Sequence, residues 1–201
     1  VTISGAAQFA LTRQTVDVDT DGNGTADLLG ATLDGIALSV NGATVSVTGV
    51  ADVTVSGNLA LARITPNAGT TRYTALKMGD VTVTASTSSG SFGLAGTLTI
   101  ETLNTNSAVT GFSRIDWAQA FDLDGDGTPD TLDPGATLPT PIALAIDFPA
   151  TLQLQLAGTV TGAGGTGAFL TADPVTISGA AQFALTRQTV DVDTDGNGTA
   201  D

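Results

Sequence analysis

The first 27 residues of the chain occur a second time, without a single difference. Residues 1–27 and 175–201 are identical, at an offset of 174 residues. The identity includes loop positions that a fold alone leaves free to vary, so it predicts a tandem array of identical units. We expect residues 1–174 to be one full repeat and 175–201 to begin the next. Stacked identical units suit a spacer, stalk or filament, because each added unit makes such a structure longer.

Strand-like segments recur within the repeat. Each has an aliphatic residue, a small residue and a glycine, followed by apolar residues at alternate positions; the glycines are Gly5, Gly57, Gly96 and Gly158. Alternation with period two is typical of a strand with one buried face. The central glycine indicates a bulge or the close approach of a neighbouring backbone. Apolar residues are mostly small or β-branched and aromatics make up 4%, which also favours strands.

Turn signals refine this all-β prediction. Asn41-Gly42 lies between two alternating segments and predicts a hairpin. Residues 86–90 and 147–149 are the corresponding connections further along the chain. Only residues 113–121, around Trp117, are expected to form a helical turn.

A second shared block sets the expected architecture. Gly30-Ala31-Thr32-Leu33 matches Gly135-Ala136-Thr137-Leu138, and a more diverged copy surrounds Leu76. These blocks predict three related β-units per repeat, at roughly 1–50, 51–98 and 99–174. We expect an elongated all-β rod built as a β-solenoid-like stack. Linked β-sandwich domains are the alternative.

Composition excludes several functions. The net charge of −14 argues against nucleic acid and against docking on anionic membranes. Without cysteine or histidine, the chain cannot build a disulfide, a thiolate nucleophile, a Ser-His-Asp triad or an ordinary zinc site. No apolar run approaches the roughly 20 residues that cross a bilayer, so we expect no membrane insertion. The sequence predicts a protein that is not an enzyme.

Acidic residues are concentrated in three loops. The predicted metal ligands are Asp17, Asp19, Asp21, Asn23 and Asp27 in the first loop, Asp122, Asp124, Asp126 and Asp130 in the second, and Asp191, Asp193, Asp195, Asn197 and Asp201 in the repeated third. Carboxylates at alternate positions repel one another unless a cation lies between them. Ca²⁺ takes six to eight oxygen ligands in a flexible shell, so these loops predict calcium sites.

These loops resemble the Asp-rich calcium loops of dockerins and thrombospondin type 3 repeats and, more distantly, EF-hands. The resemblance covers nine to eleven residues per loop and implies that the residues named above are ligands. The position where an EF-hand has a bidentate glutamate is Leu28, and the flanks are predicted strands. This departure favours a structural site over a conformational sensor.

Repetition, composition and acidic loops together resemble the repeat regions of giant secreted bacterial adhesins and surface filaments. The resemblance implies an extracellular extender whose partners are neighbouring repeats. A self-assembling sheath or surface layer, with lateral contacts, is a variant. The rivals are a carbohydrate-binding module that stacks sugars on Trp117 or Tyr73, and a carbohydrate-active enzyme that uses two carboxylates. The adhesive target is not predicted.

Overall fold

The computed structural model describes residues 1–48, 50–87, 92–172 and 174–200. These residues form nine strands: β1 (Thr2–Val18), β2 (Leu28–Val47), β3 (Ala51–Thr65), β4 (Tyr73–Thr87), β5 (Phe92–Ala108), β6 (Leu152–Gly162), β7 (Ala168–Ala172), β8 (Val175–Ser178) and β9 (Ala180–Gln188). They contain no α-helix, and one short 3₁₀ helix occupies Pro134–Thr137. No helix in this described part is long and apolar enough to cross a membrane. The all-β prediction is confirmed.

The strands form one open antiparallel sheet in the order β1-β2-β3-β4-β5-β6-β9. β7 also pairs with β5, at the start of that strand and before the residues that pair with β6, and β8 pairs with β7. Strands β8 and β9 come from the second copy of the residues that form most of β1. The duplicated segment therefore supplies strands at both edges of the same sheet.

One face of the sheet carries a row of apolar side chains from edge to edge. The row follows direct cross-strand partners, which are Phe9, Leu38, Leu59, Met78, Leu103, Leu156 and Leu185. Residues two positions apart share a face, so Leu11, Ile36 and Leu61 begin a second row beside it. Such cross-strand pairs each stabilise a sheet by roughly 0.2–1 kcal/mol.

Residues 109–151, the covering segment, pack on part of the opposite face. Five of the seven prolines of the chain lie in this segment, and proline cannot donate a hydrogen bond to a strand ladder, which explains its irregular path. Ala37, Ala60, Ala62 and Ala75 are completely buried beneath it. Their small side chains allow a close approach. The large buried side chains come from both layers and are Leu33, Ile64, Tyr73, Ile115, Trp117, Phe121, Ile146 and Phe148.

Asn106 on β5 joins the sheet to the covering segment. It is the one fully buried polar side chain among the residues whose burial is described. Its Nδ2 donates to the carbonyl oxygens of Ile115 and Pro149 at 3.0 and 3.1 Å. Its Oδ1 accepts a hydrogen bond from Trp117 Nε1 at 3.0 Å. The amide thus satisfies polar groups that the core would otherwise leave without partners.

The four signature glycines behave as predicted. Gly5 and Gly57 have φ angles of 127° and 145°, and the strand register shifts at each. A Cβ at Gly96 would lie 2.8 Å from the Thr161 carbonyl oxygen, and one at Gly158 would lie 2.2 Å from that of Thr99. Two of the glycines therefore mark bulges and two allow close approach of a neighbouring backbone.

The predicted hairpin at Asn41-Gly42 is wrong. β2 continues through both residues, and its register against β1 and β3 shifts there by one residue. Gly42 has a φ of 60°, so the dipeptide accommodates an extra residue as a bulge. The strand does not reverse because both halves pair with the same two neighbours, which the local sequence does not reveal. β2 ends instead at Val47.

The two copies of the Gly-Ala-Thr-Leu block lie in different elements, the first in β2 and the second in and just after the 3₁₀ helix. Two other local predictions also differ from the structure. Residues 113–121 contain a turn closed by Gln119 N and Asp116 O at 3.1 Å, but no helix. Residues 147–149 do not join two strands of a hairpin, because the preceding residue, Ile146, forms only an isolated bridge with Leu132. Of the predicted connection at 86–90, residues 88–90 lie outside the described part of the chain.

Candidate metal centres

The first two aspartate loops share one nine-residue frame. It is Asp-x-Asp-Gly-(Asn/Asp)-Gly-Thr-x-Asp, over residues 19–27 and 122–130. In each loop the last aspartate donates its backbone N–H to the residue before the first aspartate. Asp27 N lies 2.9 Å from Val18 O, and Asp130 N lies 2.7 Å from Phe121 O. Both loops are therefore closed in the same way.

Within this frame the first carboxylate binds the backbone of the loop. Asp19 Oδ1 accepts from Gly22 N at 2.7 Å, and its Oδ2 accepts from Gly24 N at 2.7 Å. Both glycines have positive φ angles, 76° and 84°, which L-residues with side chains rarely adopt. The second loop repeats both contacts at the matching residues Asp122, Gly125 and Gly127.

Each loop brings three carboxylates together. Asp19, Asp21 and Asp27 each offer one oxygen, and these oxygens lie within 4.8 Å of one another. The second loop does the same with its matching residues Asp122, Asp124 and Asp130. Oxygens bound to one Ca²⁺ at about 2.3–2.6 Å can be no more than about 5 Å apart. The spacing of both triads is therefore compatible with a single cation.

The other predicted ligands in these loops have different partners. Asp17 Oδ1 accepts from a backbone N–H of β2 at 2.7 Å and lies outside the first triad. Asn23 Oδ1 accepts from Thr25 N at 2.8 Å. Asp126, which matches Asn23, accepts from Thr128 N at the same distance. Asn23 and Asp126 therefore stabilise the backbone of their own loops, and Asp17 binds the backbone of β2.

The third loop repeats the local geometry of the first. Asp193 accepts backbone N–H groups of the two matching glycines, both at 2.6 Å. Asn197 Nδ2 donates to Asp195 Oδ2 at 2.9 Å. Asp191 is exposed, and Asp201 lies outside the described residues. Since this copy lacks the surroundings of the first, the loop shape follows from its own sequence.

Burial distinguishes the first two loops from the third. Val18 and Phe121, which precede the first and second frames, are 0% and 2% exposed. The bases of these loops are also joined, because Asp19 N donates to Ala120 O at 3.0 Å. Val192, the counterpart of Val18, is 52% exposed. The first two loops therefore lie directly beside the core, and the third does not.

Hydrogen bonds favour the ionised form of several loop carboxylates. The hydroxyl and the backbone N–H of Thr20 donate to Asp27 Oδ2 and lower the pKa of Asp27. Thr128 lowers the pKa of Asp126 in the same way. Burial raises the pKa of Asp19, but the backbone N–H groups of the loop together bring it below its usual value. Ionised carboxylates are the form that binds a cation.

Two features of the loops were not predicted from the sequence. They are the start of the nine-residue frame at Asp19 and the hydrogen bonds that Thr20 and Thr128 donate to loop carboxylates. Aligning the first two loops on their shared Gly-Thr-x-Asp ending would have placed the first frame at Asp19 rather than Asp17. The aromatic residues considered for sugar stacking are buried, since Trp117 is 0% and Tyr73 3% exposed. Neither ring presents a face to a ligand in this structure.

Comparison of the chain with protein-family models, with curated proteins and with solved structures finds no match.

Proposed function

We propose that the chain is a structural repeat of a secreted, cell-surface stalk, filament or adhesin, stabilised by calcium. The observation that carries this proposal is the pair of matched carboxylate triads, at the same positions of the same frame, beside one core. Two different parts of the chain use this arrangement, which ordinary acidic turns do not require. We assign no catalytic role to the chain.

Calcium would act on the joint between sheet and covering segment. The first loop connects β1 to β2, whereas the second belongs to the covering segment. The bond between Asp19 and Ala120 links their bases. A cation in each triad removes the repulsion among three carboxylates and fixes the loop ends that enter the core. Magnesium suits these loops less, because it retains several of its waters.

The open edge of β1 favours the self-assembling filament or sheath as a second candidate. Ile3, Phe9 and Leu11 on this strand are 77%, 71% and 64% exposed. An exposed strand with apolar side chains is a template for pairing with another chain. The presence of both copies of the duplicated segment in one sheet also supports a continuous stack over linked sandwich domains.

Thermal unfolding in excess calcium and in excess chelator tests the proposal. At a calcium concentration 100 times its Kd, each site adds about 2.7 kcal/mol to the free energy of unfolding. For a chain of this size, 1 kcal/mol corresponds to about 2–4 °C. Two sites beside the core are therefore expected to raise Tm by roughly 10–20 °C.

Matched variants assign the effect to the triads. Asp19→Asn and Asp122→Asn each remove one triad carboxylate, and each should abolish about half of the calcium-dependent rise in Tm. Asp17→Asn is the control, because this carboxylate lies outside the triad, and it should retain the full rise. Equal Tm values with calcium and with chelator would refute the calcium proposal. An equal loss in all three variants would refute the assignment to the triads.

A further inference from the structure

We propose that β1 is shared by two copies of the repeat, and that its open edge pairs with β6 of the preceding copy. The inference rests on the proposed structural function for the repetition but requires no bound cation. Residues 6–14 in β1 and residues 180–188 in β9 have the same sequence and different neighbours. The first copy pairs with β2, and the second pairs with β6.

The two neighbours occupy opposite edges of the same strand. Direction alternates along the antiparallel sheet, so β1 and β9, the first and seventh strands in order, run the same way. Thr12 lies opposite Gly35 on the face that the covering segment packs against. Thr186, its counterpart, lies in the cross-strand row that leads to Lys77, whose Nζ donates to the covering segment at 2.6 Å. β1 and β9 therefore run in the same direction and turn the same face towards the covering segment. Since β2 and β6 are on opposite sides of these two strands in the sheet, they pair with opposite edges of the repeated strand.

Backbone hydrogen bonds give the same result. Successive residues of a strand direct their N–H and C=O groups to alternate edges. Thr189 N donates to Thr151 O, next to β6, at 2.9 Å, so the odd-numbered residues of β9 face β6. Their counterparts in β1 are also odd-numbered and face the open edge. Val18, which is even-numbered, directs its carbonyl to Asp27 on the other side.

β6 has a place for the aromatic residue of this strand. Phe183 lies opposite Gly158, and a Cβ at that glycine would come within 2.8 Å of the ring. The missing side chain therefore makes room for the phenylalanine. Phe9, the same residue on the open edge, is 71% exposed, whereas Phe183 is partly buried. Pairing with β6 of another copy would cover Phe9 in the same way.

Strand exchange between full-length chains tests this pairing. Ala181→Pro with Leu185→Pro removes two N–H groups that face β6, and should release β9. β1 of a second molecule can then take its place, so we expect head-to-tail oligomers whose mass rises with concentration in size-exclusion chromatography with light scattering. The unchanged chain should remain monomeric, since its own β9 already covers β6.

The same prolines in β1 provide the matched control. Ala7→Pro and Leu11→Pro face the open edge and leave the ladder with β2 intact. This variant, and the one with all four prolines, should remain monomeric because no free β1 can pair. Equal assembly of the four-proline variant would overturn the proposal. So would a monomeric β9 variant whose buried Trp117 retains its native fluorescence.

Hydrogen exchange provides a second test that needs no substitution. In the present chain, the odd-numbered amides of residues 180–188 should exchange slowly and the even-numbered ones fast. In a chain with two complete copies, β2 of the second copy should slow the even-numbered amides at least tenfold. Unchanged exchange there would refute shared pairing even if the proline variant fails to fold. All measurements are made in chelator, so a negative result leaves the calcium proposal to its own test.

Discussion

Replacing Asn106 with alanine should destabilise the chain strongly, although Asn106 belongs to none of the three aspartate loops. The side chain is completely buried and makes three hydrogen bonds. Two of its partners, Trp117 and Ile115, are themselves completely buried. The third partner is the carbonyl of Pro149, which also accepts a hydrogen bond from Leu152 N at 3.0 Å and keeps it in the variant.

The expected loss follows from these partners. Alanine leaves the Trp117 N–H and the Ile115 carbonyl buried without hydrogen bonds, at about 1–3 kcal/mol each. The Pro149 carbonyl adds less, and a water that enters the vacated space recovers part of the cost. We therefore expect Asn106→Ala to lower the free energy of unfolding by about 3–4 kcal/mol. Typical domains have only about 5–15 kcal/mol in total.

Urea unfolding followed by fluorescence measures this loss directly, because Trp117 is the only tryptophan and is buried. Asn104→Ala is the control, since it lies on the same strand and face. The Nδ2 of Asn104 donates an exposed hydrogen bond to Gln155, and its Oδ1 has no partner among the described atoms. Asn104→Ala should therefore lower the free energy of unfolding by less than about 1 kcal/mol. Equal effects of the two alanines would show that the buried amide does not hold the covering segment.

Two further predictions concern backbone strain and acid. Gly57→Ala should destabilise the chain more than Gly69→Ala. Both glycines have φ near 140°, a strain that costs an alanine about 1–3 kcal/mol, but only at Gly57 would the added Cβ lie 2.6 Å from the backbone of Val81. Equal urea midpoints of the two variants would contradict this prediction. Hydrogen bonds from Arg13 lower the pKa of Asp34, so its stabilisation is present above the unfolded pKa of about 3.9 and is lost as pH falls through the folded pKa. In chelator, the unfolding midpoint should therefore decrease between pH 6 and pH 3, and Asp34→Asn should make that decrease smaller. A decrease of the midpoint in the variant as large as in the unchanged chain would exclude a role for the Arg13–Asp34 pair.

The sequence was most informative where structure depends on local chemistry. Alternating apolar residues predicted strands, and the glycines at Gly5 and Gly57 predicted either bulges or close backbone approach, because period and backbone freedom are local properties. The aspartate loops were located for the same reason, since their glycines and carboxylates lie within nine residues. Only the start of the frame was misplaced, by two residues, because Asp17 continues the alternation although its carboxylate bonds to β2.

Predictions failed where a distant partner decides the outcome. Asn41-Gly42 has the sequence of a hairpin turn, but pairing with β1 and β3 on both sides makes it a bulge. Neither the order of strands nor the covering segment follows from local patterns, because paired residues lie up to 80 positions apart in sequence, as Phe92 and Ala172 do.

The apolar row that crosses the sheet does not return to its starting position. It begins at Phe9 and reaches the second copy at Leu185, the counterpart of Leu11. Six strand spacings span about 29 Å, and two residues correspond to about 7 Å along a strand. Joined copies would therefore slant by about 13° from the perpendicular to their strands. The aspartate loops of each copy would lie about 7 Å further along the strand direction than those of the copy before it. The negative charges of successive copies would therefore follow an oblique line rather than a line perpendicular to the strands.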